Sequence, residues 1–114
     1  MDEPQTPLQA FATLDIRVGT IIAAQTFAQA RVPAYKLTLD FGAPIGTRRS
    51  SAQITDRYNV EELIGKHVLA VVNFPPKRIA GFLSEVLVLG VPDEHGAVVL
   101  VQPDFPVPAG GRLY

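Results

Sequence analysis

The stretch "YKLTLDFG", beginning at Tyr35, alternates without a slip: Tyr35, Leu37, Leu39 and Phe41 on one side, Lys36, Thr38 and Asp40 on the other. Such a period of two marks a strand with one buried face and one wet face, because successive side chains point to opposite sides of a sheet. A helix would scatter both sets around its circumference. Much of the remaining chain follows the same rule. Leu14, Ile16, Val18 and Ile22 fall at even spacing and predict a first strand, with Gly19 marking a bend or bulge. The turn "GAPIG" leads to a polar strand around "TRRSSA". Further on, "HVLAVVNF", "SEVLVLGV" and "AVVLVQP" are rich in β-branched residues and read as strands.

Two short helices interrupt this pattern. In "TPLQAFA", Thr6 is the N-cap, Pro7 takes the first helical position and Gln9 completes a capping box, while Leu8, Phe11 and Ala12 share a side. In "NVEELIG", Asn59 caps, Glu62 stands at the third position, Val60, Leu63 and Ile64 form the inner face, and Gly65 stops the helix. The order is helix, three strands, helix, then two or three strands. One helix between the third and fourth strands of an otherwise all-β chain predicts a five-stranded Greek-key barrel of the oligonucleotide/oligosaccharide-binding (OB) type. A sandwich would need about seven strands. The 114 residues suit one domain, 1–114, with a helical extension over 1–12 and a Pro-rich extension over 103–114.

Chemistry is conspicuous mainly by what it excludes. There is no cysteine, so disulfides and thiolate metal sites are ruled out. His67 begins a strand and His95 sits in the turn "PDEHG", with no set of ligands at a recognisable metal-site spacing, so no metal and no cofactor are expected. Ser50, Ser51 and Ser84 lack the G-x-S-x-G nucleophile pattern, and "GAPIGTRRSS" lacks the P-loop spacing. Glu61-Glu62 and Asp93-Glu94 are sequence neighbours, which do not face each other as a catalytic pair would. The chain is expected to bind rather than catalyse. Its net charge of −1, from 10 basic and 11 acidic side chains, is not the footprint of a strong nucleic-acid binder. No run approaches the roughly 20 apolar residues of a membrane span, and the acidic start "MDEPQTPLQ" is unlike an export leader. A cytoplasmic protein with no membrane insertion is the expectation.

What remains is a surface. Pro75 and Pro76 cannot donate to a strand ladder, so pairing must stop there and leave Lys77 and Arg78 at a rim. Arg48 and Arg49 precede the polar "SSAQIT", and Ser84 is expected to open the strand that returns.

Taken in order, "LDIRVGTI", "PAYKLTLDFG", "SSAQIT", "VVNFPPKRIAGFLSEVLVLG" and "VPAGGRLY" resemble the CsaA family of secretion chaperones. That family falls within the wider group of tRNA-binding domains similar to the C-terminal domain of EMAP II. The likeness runs from Phe11 to Leu113, and "SSAQIT", "NFPP" and "SEVLVLG" point to the CsaA branch. It implies an OB barrel that dimerises through its extensions, with Leu8, Phe11, Val107 and Leu113 as interface candidates. It implies unfolded preproteins and the export motor SecA as partners, with Phe74, Ile79, Phe82 and Phe105 as candidate linings of a peptide site. The alternative is RNA binding of the tRNA-binding-domain type, through Arg48, Arg49, Lys77, Arg78, Ser84 and Glu85. The tRNA-binding relatives carry Ser-Gln-x-Met where this chain has Ser84, Glu85 and Leu87. A glutamine amide donates to phosphate, whereas a carboxylate only accepts and repels it, so tRNA binding is expected to be weak. A structural role for Glu85, paired with Arg17 or Arg78, is the competing expectation.

Overall fold

A computed structural model describes residues 5–114. The first four residues of the expected 1–12 extension lie outside the described residues. Helix α1 (Pro7–Thr13) is followed by strands β1 (Ile16–Thr26), β2 (Tyr35–Asp40) and β3 (Thr47–Ala52). Helix α2 (Val60–Leu63) and strand β4 (His67–Val71) come next. Short strands β5 (Lys77–Ile79), β6 (Phe82–Ser84), β7 (Leu87–Val88), β8 (Gly90–Pro92) and β9 (Val98–Leu100) complete the order. The main sheet runs β3-β2-β1-β4-β7, all antiparallel. It curls into a nearly closed, OB-like barrel of five strands as β3 comes to lie against β6 and β7. No helix among the described residues is long and apolar enough to cross a membrane.

The eleven residues of β1 let it serve both halves of the barrel. Its first half pairs with β4 from Ile16 to Thr20, and its second half pairs with β2 from Thr20 to Thr26. The pairing skips a residue between Ile21 and Ala23. Before this bulge, Gly19 and Ile21 face the barrel core opposite Val68 and Leu39, so Ile21 is fully buried while Ile22 falls on the outer face and is 47% exposed, against the expected inward Ile22. The bulge also lies beyond Gly19, where the sequence suggested it. Gly19 instead makes room for a ring, since a Cβ there would sit 2.7 Å from Cε1 of Phe41. The absent side chain is what lets the Phe41 ring lie against β1. Leu37, Leu39 and Phe41 of the alternating stretch are buried beside Leu63 and Val68.

Both helix caps form as read. Thr6 Oγ1 accepts from Gln9 N–H while Gln9 Oε1 accepts from Thr6 N–H, and Asn59 and Glu62 do the same for α2. Helix α2 is a single turn, so Ile64 has already left it and is 50% exposed rather than on an inner face. After the Pro-Pro break the chain does not simply cross a rim. It folds into the β5–β6 hairpin, which places Lys77 opposite Ser84 and turns through Ala80 and Gly81, both at positive φ. Ser84 therefore ends a strand instead of opening one. The run "SEVLVLGV" is divided among β6, β7 and β8, each with a different partner.

Candidate functional site

The outer edge of β3 is where the barrel nearly closes, and side chains do part of the closing. Glu85 N–H donates to the Arg49 carbonyl at 2.7 Å, and Glu85 Oε1 accepts from Arg49 N–H at 3.0 Å. One residue pair further on, Ser84 Oγ accepts from Ser51 N–H, also at 3.0 Å. These side-chain oxygens stand where a continuous strand ladder would have put carbonyls. Glu85 is thus engaged with the Arg49 backbone, not with Arg17 or Arg78. Arg17 instead holds Asp15, Nε to Oδ1 at 2.6 Å, and donates to the Gly110 carbonyl. The Arg78 guanidinium donates to the Gly81 carbonyl within its own hairpin.

Phe82 anchors that hairpin. Its ring meets Phe27 edge-on at 5.4 Å, in a satellite cluster with Ala34. Arg49 lies 4.7 Å above the Phe82 ring, and Lys36 lies 4.8 Å from Phe27, so both rings carry a cationic lid. At 6% exposure Phe82 is a buried support and does not line an open pocket as expected. Phe74 and Phe105, 41% and 75% exposed, lie apart from the groove described next. The four residues assigned from sequence to one peptide site therefore do not converge.

Ile79 does line a cavity. Between the β5–β6 hairpin, the loop before β2 and the end of β3 lies a hollow of about 520 Å³, walled by Arg31, Lys77, Arg78, Ser51, Gln53 and Ile79. Ser51, Gln53 and Ile79 also border a second hollow of about 330 Å³, floored by Ile54, Leu87, Val88, Leu89 and Leu100. The two form one groove with a basic end and an apolar end. Among the described residues, no acidic side chain lines either part. Among the described residues, Arg31, Lys36, Arg49, Lys77 and Arg78 enter no ion pair. The near-neutral total thus conceals a cationic face. Arg31 and Gln53 escaped the sequence reading; the long connection between two paired strands was the available signal for Arg31. Arg48 lies outside the groove, its guanidinium donating to the Thr47 carbonyl.

A second surface gathers the extensions. Helix α1 buries none of its residues, leaving Leu8 77% and Phe11 41% exposed. Polar ties nonetheless fix its end: Asn73 Nδ2 donates to the Thr13 carbonyl, and Arg112 Nη2 donates to those of Ala12 and Leu14. The tail adds to the edge of β1 through Gly110 N–H to Val18 O and Leu113 N–H to Ile16 O. Beside it is a shallow apolar depression of about 300 Å³, bordered by Val18, Leu69, Val107, Leu113 and Tyr114.

Residues 16–112 match the family described as "Putative tRNA binding domain". The chain belongs to the tRNA-binding-domain family, on its CsaA branch. The crystal structure of chaperone CsaA from Bacillus anthracis str. Ames is 54% identical, with a TM-score of 0.89 over 97% of this chain and 100% of that one. The CsaA chaperone protein from Picrophilus torridus is 49% identical with the same TM-score of 0.89, over 96% of this chain and 100% of its own. A methionine–tRNA ligase from Methanothrix thermoacetophila is 36% identical over 110 residues, 96% of this chain but 16% of the ligase. The chain spans only about one sixth of such curated relatives, and the family matched over that stretch is a binding domain, not a catalytic one.

Proposed function

We propose that this protein is a homodimeric, non-catalytic chaperone of the CsaA type that holds unfolded polypeptide in the groove beside β3. The observation that carries the reading is the apolar floor of Ile54, Leu87, Val88 and Leu100 joined to a small set of polar groups, the composition expected of a site that grips apolar chain and fixes its orientation. Base stacking on exposed rings, the usual device for single-stranded nucleic acid, finds its nearest rings buried under Arg49 and Lys36. The dimer reading rests on α1, a helix tied at its carbonyl end by Asn73 and Arg112 while none of its residues is buried and Leu8 and Phe11 stay exposed. Apolar area of this kind fits an interface, and two-fold pairing is the commonest closure. Unfolded preproteins and SecA, in the cytoplasm, follow from the family likeness. The test is a light-scattering assay of a denatured client diluted with and without the protein, beside sedimentation at micromolar concentration. Suppressed aggregation by a dimer is expected; unchanged aggregation, or a monomer, counts against the corresponding half of the reading.

The unpaired cations favour a second reading, contact with tRNA phosphates. If about two phosphates are lost in the Lys77→Ala, Arg78→Ala double variant, the log–log salt slope of tRNA binding becomes shallower by about 2. An unchanged slope removes this pair from the RNA site.

A further inference from the structure

The groove is polarised, and that polarity has consequences for what enters it. Lys77 and Arg78 stand at one end, exposed and without carboxylate partners among the described residues, with Arg31 lining the same hollow. The other end offers only apolar and neutral side chains. Resting on the chaperone reading above, we propose that the groove selects client segments in which a short apolar run is flanked by an acidic side chain. The apolar run displaces water from Ile54, Leu87 and Leu100, and the carboxylate meets the three cations. A basic flank would place like charges together at the same end, which charge complementarity penalises in partner choice. Export leaders join a positively charged n-region to their apolar run. This groove therefore disfavours leaders and takes acid-flanked apolar segments elsewhere in a client.

The hairpin tip agrees with a site kept open. Ala80 lines the basic end and holds φ +47, a left-handed conformation that suits Asn or Gly at a two-residue turn. Alanine there accepts backbone strain, and its methyl group keeps the wall of the cavity low. Strain tolerated at such a position points to function.

The test uses three fluorescein-labelled peptides of equal length, with one apolar centre and acidic, neutral or basic flanks, titrated by anisotropy into the full chain. The acidic peptide is expected to bind about tenfold more tightly than the basic one at low salt, since three exposed cations each contribute a fraction of a kcal/mol. The gap should narrow as salt rises. In the Lys77→Ala, Arg78→Ala double variant, checked for an unchanged melting temperature, the affinities of the three peptides should converge. Equal or tighter binding of the basic peptide to the parent chain overturns the proposal and leaves the groove a general polypeptide site. No binding of any peptide, with tRNA still bound, overturns the chaperone reading itself.

Discussion

Removing the Glu85 side chain is the sharpest probe of how the barrel closes. Glu85→Ala deletes the acceptor for Arg49 N–H while keeping the backbone bond from residue 85 to the Arg49 carbonyl. A hydrogen bond to an ionised acceptor contributes about 1.5–3 kcal/mol. Arg49 is exposed, so water recovers part of the loss. That leaves a destabilisation of about 1–2 kcal/mol. Near this chain length, about 4 °C of Tm accompanies each kcal/mol, so the expected fall is about 4–8 °C. Glu85→Gln keeps an oxygen on Arg49 N–H and loses only the charge assistance, with an expected fall of about 2–4 °C. It also removes a negative charge from a cationic edge and adds free amide donors. Its affinity for tRNA should rise by about threefold to tenfold. Calorimetric melts, amide hydrogen exchange at Arg49 and Ser51, and a tRNA titration on the same two variants check all of this. Two variants that melt like the parent, with Arg49 exchange unchanged, would refute the clasp.

Other perturbations test the rest of the frame. Gly19→Ala drives a Cβ to 2.7 Å from the Phe41 ring, so ring or strand must shift, at a cost of about 1–3 kcal/mol in urea denaturation. Ala80→Asn relieves the left-handed strain in the hairpin turn and should stabilise the chain by about 0.5–1 kcal/mol in the same assay. Asp93 is held below the usual carboxylate range, chiefly by hydrogen bonding from the Arg57 side chain at 2.7 Å and then by His95 N–H. A lowered folded pKa means that its stabilisation is present above the unfolded carboxylate value and is lost as pH falls through the folded one. Asp93→Asn should therefore melt lower than the parent at neutral pH, with the difference closing in acid.

How much was legible in the sequence depends on the span over which each feature is decided. The capping boxes close within three residues, so Thr6 with Gln9 and Asn59 with Glu62 could be read directly. The Tyr35–Phe41 alternation carries its own face assignment and needed no partner to be understood. The face of Ile22 was not legible, because the tail covers Ile16 and Val18 on the outer side of β1, so both parities of that strand carry buried apolar residues. "SEVLVLGV" announces extended chain but says nothing of pairing, and the fold divides it among three partners. The groove was least legible of all, since it is assembled by contacts across long separations: Glu85 meets Arg49 36 positions away, and Ser84 meets Ser51 33 away. The surface pattern pointed to Ser84, and only the family motif pointed to Glu85, first as a ligand contact. Their geometry gives them an earlier duty, closing the barrel against β3. Glutamine and glutamate both offer an oxygen to the N–H of residue 49, so either residue can keep the clasp while setting a different charge beside Arg49. Position 85 can thus alter what the face attracts without altering how the barrel is shut.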